Sequence, residues 1–413
     1  MKVMLVGGNI GGMGGDTNVI KNIGNVLGGG HDVYYFPYLP IFQKPIDIPN
    51  IGLLEKKLSI DVLIGSMFKS VPWLHTVLPY LNKNSLRGLA YYPITLFNLS
   101  LFEKYIVEIQ PDVIHIHGIP IDALPIIEVS LKWGVPLVVT CHGLYAFDAN
   151  QGLWFKKDLE KDICVKMTEL NIPLTAVSSS IAQKMAHEYD IPINTIAVIQ
   201  NGVDINAFSS RYDSKDILRG VYNIPMDRIV LLHVANLSKR KNHIAVLHAL
   251  KQMDSSLRQK ICYLIVGDGA EKKDLIDFVN DNSLNENVMF KGRVSDDQLH
   301  DLYALSDYFI LPSTSEGLPL VYLEAIAAGL PIITFSDLDG IDDIYTPFCM
   351  ELSHDREVSS LVVTIESAIT KNWDRSQIIN YASMWTWDAV CDDYLSIYMK
   401  VVKRASQIYN TLR

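Results

Sequence analysis

The stretch YFILPSTSEGLPLVYLEAIAAGLPIITF, Tyr308 to Phe335, is the segment from which the fold can be read. An apolar run, YFILPS (Tyr308 to Ser313), leads into a polar loop carrying Glu316. A helical segment follows, opened by Gly317 and Pro319, carrying Glu324 on its second turn and closed by Gly329. Proline near the first turn and glycine just past the last are ordinary helix punctuation. Pro331 then opens a second apolar run, LPIITF (Leu330 to Phe335). Strand, loop, helix and strand in this order make one crossover unit of a parallel sheet. The segment Gly317, Leu318, Pro319, Leu320 would point the free N–H groups of the helix start at an anion such as a diphosphate. Glu324 sits among Leu323, Ala325, Ile326 and Ala327, where an unpaired charge is costly, so a ligand rich in hydroxyls, such as a ribose diol, would satisfy it.

The same alternation extends in both directions. Upstream lie IVLLHVA (Ile229 to Ala235), ICYLIVGDG (Ile261 to Gly269) and NVMFKG (Asn287 to Gly292), with helical patterns such as HIAVLHALKQM between them. An earlier series comprises VMLVGG (Val3 to Gly8), DVYYF (Asp32 to Phe36), DVIHIH (Asp112 to His117), PLVVTCH (Pro136 to His142), LTAVS (Leu174 to Ser178) and IAVIQN (Ile196 to Asn201). Runs this continuously apolar imply sheets covered by helices on both faces. The 413 residues fit two domains. The expectation is an α/β chain of two Rossmann-like, doubly wound domains facing across a cleft, 1–205 and 206–387. A terminal helix, 388–413, is expected to cross back to the first domain. Its apolar residues Val390, Tyr394, Ile397, Tyr398, Val401 and Ile408 fall at helical spacing.

Composition narrows the function. With 36 basic and 46 acidic residues the net charge is −10, which excludes general binding to a nucleic-acid backbone and requires any anionic ligand to find a local positive site. Five cysteines, Cys141, Cys164, Cys262, Cys349 and Cys391, form no CxxC pair or Cys/His ligand cluster, so a reduced, cytoplasmic setting is expected. The apolar start VMLV is too short for a signal-peptide core, and no segment offers the ~18 unbroken apolar residues of a membrane span.

Local positive sites do occur. Lys239, Arg240 and Lys241 follow the first strand of the second series and Arg293 follows its third. Both groups lie at carboxyl ends of parallel strands, as Glu316 does, and ligands of open α/β sheets bind there. In the first series His117 and His142 close two apolar strands, each followed by glycine, while His115 lies deeper on the same strand face as His117. The loop GGNIGGMGGD after the first strand has glycines for close backbone approach. It fits no GxGxxG register, because Thr17 stands where the third glycine belongs, and the second strand lacks the ribose-binding acid of a dinucleotide site.

The segment Glu316 to Pro331 resembles the E-x7-E signature of retaining glycosyltransferases of family 4, which have the two-domain GT-B fold. The glycine loop, GHDV (Gly30 to Val33), NGVD followed by Phe208, VGDG (Val266 to Gly269), FKGRVSDDQLHDLYALSD and WTWD (Trp385 to Asp388) agree with it in order. The resemblance implies sugar transfer from a nucleotide diphosphate, a substrate rather than a cofactor, with retention and without a metal. It implies that Glu324 binds ribose, that Glu316 faces the donor sugar or phosphate, and that Lys241, with Lys239 and Arg240, neutralises the diphosphate. Backbone near Arg293 and Val294 would hold the base. It further implies that His142 lies near the reacting sugar, that His117 lies on the acceptor side, and that Gly14 and Gly15 approach from across the cleft. One departure stands out. The family commonly reads Gly-Arg-Leu where this chain has Ala235-Asn236-Leu237, so a bidentate phosphate donor is lost at Asn236, and either Lys239 or Arg240 compensates or the diphosphate is held differently.

The acceptor side is less defined. From Val62 to Phe102 there is no acidic residue, and Lys69, Lys83 and Arg87 alternate with Phe68, Trp73, Tyr80, Tyr91, Tyr92 and Phe97. That composition suits either a lipid-linked acceptor at the cytoplasmic membrane face or simple packing of an acceptor-side subdomain. A nucleotide-sugar epimerase of similar form and a non-catalytic sugar-nucleotide-binding regulator are the competing readings, with UDP preferred to GDP as the donor nucleotide.

Overall fold

The computed structural model describes residues 1–8, 15–38, 50–54, 99–119, 123–144, 155–211 and 214–411. Gly14 and most of the Val62 to Phe102 stretch, including Lys69, Lys83 and Arg87, lie outside them. The chain divides into two compact units, one formed by Met1–Asn201 with Trp387–Arg413 and the other by Gly202–Thr386.

In the first unit seven parallel strands take the order β3-β2-β1-β4-β5-β6-β7. They are β1 (Lys2–Gly7), β2 (Asp32–Pro37), β3 (Ile51–Leu53), β4 (Val113–His117), β5 (Leu137–Cys141), β6 (Leu174–Ala176) and β7 (Ile196–Val198). Strands β4 and β5 are buried at every residue, as continuous apolar runs require. The helix Trp387–Thr411 completes this unit, with Val390, Cys391, Tyr394 and Tyr398 buried. It packs on the helix Gly15–Leu27 and on β4 and β5. At the end of the acidic-free stretch, Leu99, Leu101 and Phe102 are core residues, and the Phe102 ring meets Phe36 edge-on at 4.9 Å.

The second unit has six parallel strands in the order β10-β9-β8-β11-β12-β13. They are β8 (Ile229–Val234), β9 (Ile261–Val266), β10 (Val288–Gly292), β11 (Tyr308–Ile310), β12 (Ile332–Phe335) and β13 (Met350–Ser353). Each sheet starts in its middle, winds outward, then returns to the opposite side of its first strand. The windings reverse between β1 and β4 and between β8 and β11, which opens a crevice at the carboxyl ends of those strands.

Two strands escape the sequence pattern. β3 and β13 are edge strands, too short or too polar to form an apolar run: β3 is Ile-Gly-Leu and β13 is Met-Glu-Leu-Ser. Conversely, the apolar runs overshoot the ladders. YFILPS pairs only to Ile310 and ICYLIVGDG only to Val266, because the chain turns away at Pro312 and Gly267 while Leu311 is still buried.

Candidate active site

Two loops meet at the reversal point of the second sheet. After β8 the chain passes Asn236 and Leu237 and enters a short 3-10 turn, Lys239–Lys241, ended by Asn242 in a left-handed conformation at φ 54°. After β11 it passes Ser313 to Glu316. Asn242 Nδ2 donates to Pro312 O (3.0 Å) and Thr314 N–H donates to Arg240 O (2.8 Å), which stitches the loops together. The β8 loop is also held from the other side, where Ala235 N–H donates to Val266 O and Leu237 N–H to Asp268 O. A Cβ at Gly267 would lie 2.0 Å from Ala235 O, and one at Gly269 2.3 Å from Leu237 O, so both glycines of VGDG are required by this close approach.

This stitching concentrates charge. Lys241 Nζ lies 2.5 Å from Glu316 Oε1, while Arg240 Nη1 donates to Glu316 Oε2 and to Ser315 O, both at 3.1 Å. Glu316 is only 7% exposed. Burial lowers the Lys241 pKa from its usual value; Glu316 counters this and Arg240 adds to it. Two cations against one carboxylate leave a net positive charge at a sheet edge, a suitable place for an anion. Behind it the His233 and His243 rings stack at 3.8 Å, His233 sharing a hydrogen bond with Tyr263 Oη. Burial, reinforced by Lys241, pushes His243 down to about 3, and His233 is likewise depressed by burial, so the pair is neutral and adds no competing charge. Arg356 braces the other loop, donating to Ser313 O, Thr314 O and the Asp337 carboxylate.

The helix Leu320–Ala327 begins at Pro319, whose side chain supplies no cap hydrogen bond, and it ends at Gly329 with φ 70°. Leu318 is buried and Gly317 half-buried beside it. On the second turn Glu324 accepts a hydrogen bond from Tyr303 Oη at Oε2 (2.8 Å). Burial raises the Glu324 pKa to about 7, against the lowering effect of the Tyr303 hydrogen bond. Asn236 and Lys239 are exposed. Arg293 is exposed just after β10, where Gly292 at φ 66° turns the chain, and Val294 is half-buried next to it. Arg293 contributes to holding the Asp268 carboxylate below its usual pKa, after the Gly269 N–H and Lys272.

In the first unit, His117 Nδ1 and His142 Nε2 share a hydrogen bond at 3.0 Å at the ends of β4 and β5. Burial, then His115 and His142, holds His117 well below the usual imidazole range. His115 lies beneath, its ring 3.9 Å from that of His117, with Nδ1 on Tyr398 Oη (2.5 Å) and Nε2 on Thr140 Oγ1 (2.6 Å). Gly15 opens the first helix with open space where a Cβ would stand.

The structure thus brings Lys241, Arg240 and Glu316 into one cluster, places Glu324 on the next helix, and pairs His117 with His142. Among the described residues, the side chains of Asn236, Lys239 and Arg293 make no hydrogen bond or ion pair with that cluster, although Lys239 shares its 3-10 turn. A family model described as Glycosyltransferase Family 4 matches residues 29–207, and one described as Glycosyl transferases group 1 matches residues 214–385. The O-antigen biosynthesis glycosyltransferase WclY of Escherichia coli is 30% identical over 264 residues, covering 63% of this chain and 70% of the relative. This chain belongs to the family 4 glycosyltransferases.

The E. coli UDP-Gal:alpha-D-GlcNAc-diphosphoundecaprenol alpha-1,3-galactosyltransferase is 28% identical over 70% of this chain and 74% of its own. Among solved structures, a sucrose-phosphate synthase from Thermosynechococcus elongatus has a TM-score of 0.76 at 16% identity, covering 98% of this chain and 100% of its own. The Anabaena protein HepE in complex with UDP has a TM-score of 0.68 at 17% identity, covering 97% of this chain and 100% of that one. These likenesses give the enzyme the GT-B fold. Sequence reasoning missed Tyr303, the His233–His243 stack and Arg356. An aromatic ring inside the helical pattern LHDLYALSD reads as core, and only the position of its hydroxyl reveals more.

Proposed function

We propose that the enzyme transfers a sugar from a UDP-linked donor, with retention of anomeric configuration and without a metal, to a glycan or lipid-linked acceptor in surface polysaccharide or glycoconjugate assembly. The observation that carries this reading is the net cationic Lys241–Arg240–Glu316 cluster at the strand ends, one helix start from the hydroxyl-seeking Glu324. The complex of HepE with UDP and the UDP-Gal donor in the galactosyltransferase's name support UDP, and that relative's diphosphoundecaprenol substrate supports a lipid-linked acceptor.

In this reading Glu324 accepts ribose hydroxyls, and backbone beside Arg293 and Val294 receives the base. The diphosphate lies against Lys241, Arg240 and the N–H groups that follow Gly317 and Pro319, with exposed Lys239 taking the part left open by Asn236. The bond from the sugar's anomeric carbon to the phosphate oxygen breaks, and the diphosphate leaves with the electron pair. An acceptor oxygen forms the new bond on the same face, and its proton passes to the departing phosphate. Charge grows on the diphosphate as this happens, so cations preorganised in a dry site lower the barrier. Glu316 fixes Lys241 and Arg240 and faces the donor. His142 is assigned to the reacting sugar, with Gly14 and Gly15, and His117 to the acceptor side. The segment rich in Lys69, Lys83 and Arg87 is assigned contact with the cytoplasmic membrane face, and replacing these three by Ser should release the protein from anionic vesicles.

The test is incubation with a panel of nucleotide sugars, with and without undecaprenyl-diphosphate-linked acceptors, in EDTA. UDP release that requires acceptor, with the product's anomeric configuration equal to the donor's, supports the reading. Interconversion of donor sugars without acceptor would show an epimerase, and binding without turnover a regulator.

A further inference from the structure

Glu324 is not free to choose its orientation. Tyr303 Oη donates to its Oε2 at 2.8 Å, while Oε1 takes no hydrogen bond from any described residue. Tyr303 is itself fully buried and fixed on two sides. The Phe208 ring meets it edge-on at 5.2 Å with an interplanar angle of 89°, and Phe309 stacks on it at 5.9 Å. Phe208 belongs to the short helix Ile205–Ser209, which packs on the helix carrying Glu324. Phe208, Tyr303 and Glu324 thus form a relay from the NGVDINAF segment to the carboxylate. A tyrosine needs only a partner for its hydroxyl, and the Val321 carbonyl already offers one, though at the longer distance of 3.4 Å. Aiming the phenol at one carboxylate oxygen instead leaves the other oxygen for a ligand in a fixed plane.

We propose that Tyr303 is a positioning residue for nucleotide recognition, locking Glu324 Oε2 so that Oε1 accepts the ribose hydroxyl of the donor, with Phe208 holding Tyr303 in place. The proposal rests on the assignment of Glu324 to the ribose. Few other groups bear on this carboxylate. Asp296, on the same helix as Tyr303, raises its pKa. From the remaining elements packed on the Glu324 helix, Arg375 donates to Gly329 O, just past that helix, and to Ser306 O, just past the Tyr303 helix. Asp204 caps Ile205–Ser209 through Ala207 N–H. Removing the Tyr303 hydroxyl therefore withdraws the hydrogen bond that favours the charged carboxylate and leaves its aim unconstrained.

The experiment is calorimetric titration of the full-length wild type, Tyr303→Phe and Phe208→Leu with UDP and with 2′-deoxy-UDP between pH 5.5 and 8.5, GDP and 2′-deoxy-GDP replacing them if UDP does not bind. Tyr303→Phe conserves volume, and thermal unfolding checks that each variant is folded. Wild type should prefer the ribonucleotide. Tyr303→Phe should weaken it about five- to tenfold, leave the deoxynucleotide within twofold, and move the inflection of the pH profile upward. Phe208→Leu should show the same pattern more weakly. Wild-type affinity for both ligands in Tyr303→Phe, or an equal loss of both with an unmoved inflection, overturns the positioning role. A wild type that does not distinguish ribose from deoxyribose, or binds none of the four nucleotides, overturns the ribose assignment itself.

Discussion

Glu324 is held in surroundings that favour its protonated form. Its folded-state pKa of about 7 lies above the value of 4.5 expected when solvated. The sign of the linkage follows: between those values the folded protein binds more protons than the unfolded chain, so this residue's contribution to stability falls as pH rises from 4.5 to 7. Glu324→Gln should abolish that slope, making the variant relatively more stable at pH 8 than at pH 4.5 by about 2–3 kcal/mol in urea unfolding. Ribose hydroxyls would favour the carboxylate, so nucleotide binding at pH 6 should release a proton. Titrations in two buffers of different ionisation enthalpy should detect it in wild type and not in Glu324→Gln. At the neighbouring cluster, Lys241→Ala should cut turnover roughly 10²-fold or more if the ammonium stabilises the leaving diphosphate, with Lys241→Arg recovering part of it. Steady-state rates with the true donor decide this, and an unchanged kcat would remove Lys241 from the chemistry. At this scale the sequence was informative where chemistry needs a charge in an unusual place. Glu324 stands out against apolar neighbours, and Glu316 and Lys241 lie in polar loops that follow apolar strands, whereas Tyr303 and Phe208 look like core and become functional candidates only through the direction of one hydroxyl.

Elements set these residues in position, and the tightest constraint is the crossing of the β8 and β9 loops. Gly269 has an ordinary backbone conformation, so replacing it tests space alone. In Gly269→Ala the added methyl would meet the Leu237 carbonyl at 2.3 Å, a backbone atom that cannot rotate away. The loop carrying Lys239 to Lys241 would have to shift. The expected result is a loss of roughly 2 kcal/mol in denaturant unfolding together with weakened nucleotide binding. Wild-type stability would show that the loop gives way without cost. VGDG is visible in the sequence, but its purpose is not, because a glycine demanded by a distant carbonyl looks like one demanded by its own turn. The same limit explains the strands. Central ones such as β9, ICYLIV, are legible because both faces are buried and every residue is apolar. β13, at the sheet edge, is fully buried only at Met350 and Ser353, with Glu351 paired to Lys371, and blends into loop composition.

At the scale of the molecule the first unit is discontinuous in sequence, since it is completed by residues that follow the second. Helical spacing made the closing helix visible and its return to the first domain expected, yet not the buried polar contacts it closes over. Tyr398 and Tyr394 reach a buried polar network in which Tyr398 bonds His115 at 2.5 Å, and Thr140 bonds His115, Thr175 (2.5 Å) and Tyr394 (3.3 Å). Trp387, Val390, Cys391, Tyr394 and Tyr398 are all buried. At roughly 2 kcal/mol for each such side chain their burial contributes on the order of 10 kcal/mol, as large as the net stability of a typical domain. The strands of this unit are therefore expected not to hold their fold without the helix. Residues 1–201 expressed alone should be insoluble or lack a cooperative thermal transition, and supplying 387–413 through a flexible linker should restore both solubility and the transition. Residues 202–386, one continuous stretch with its own six-stranded sheet, should fold without help. Within the intact chain, Tyr398→Phe strands the His115 ring nitrogen and should cost about 1–3 kcal/mol. If residues 1–201 unfold cooperatively by themselves, the helix is a peripheral addition and the polar network beneath His117 is not what holds that sheet together.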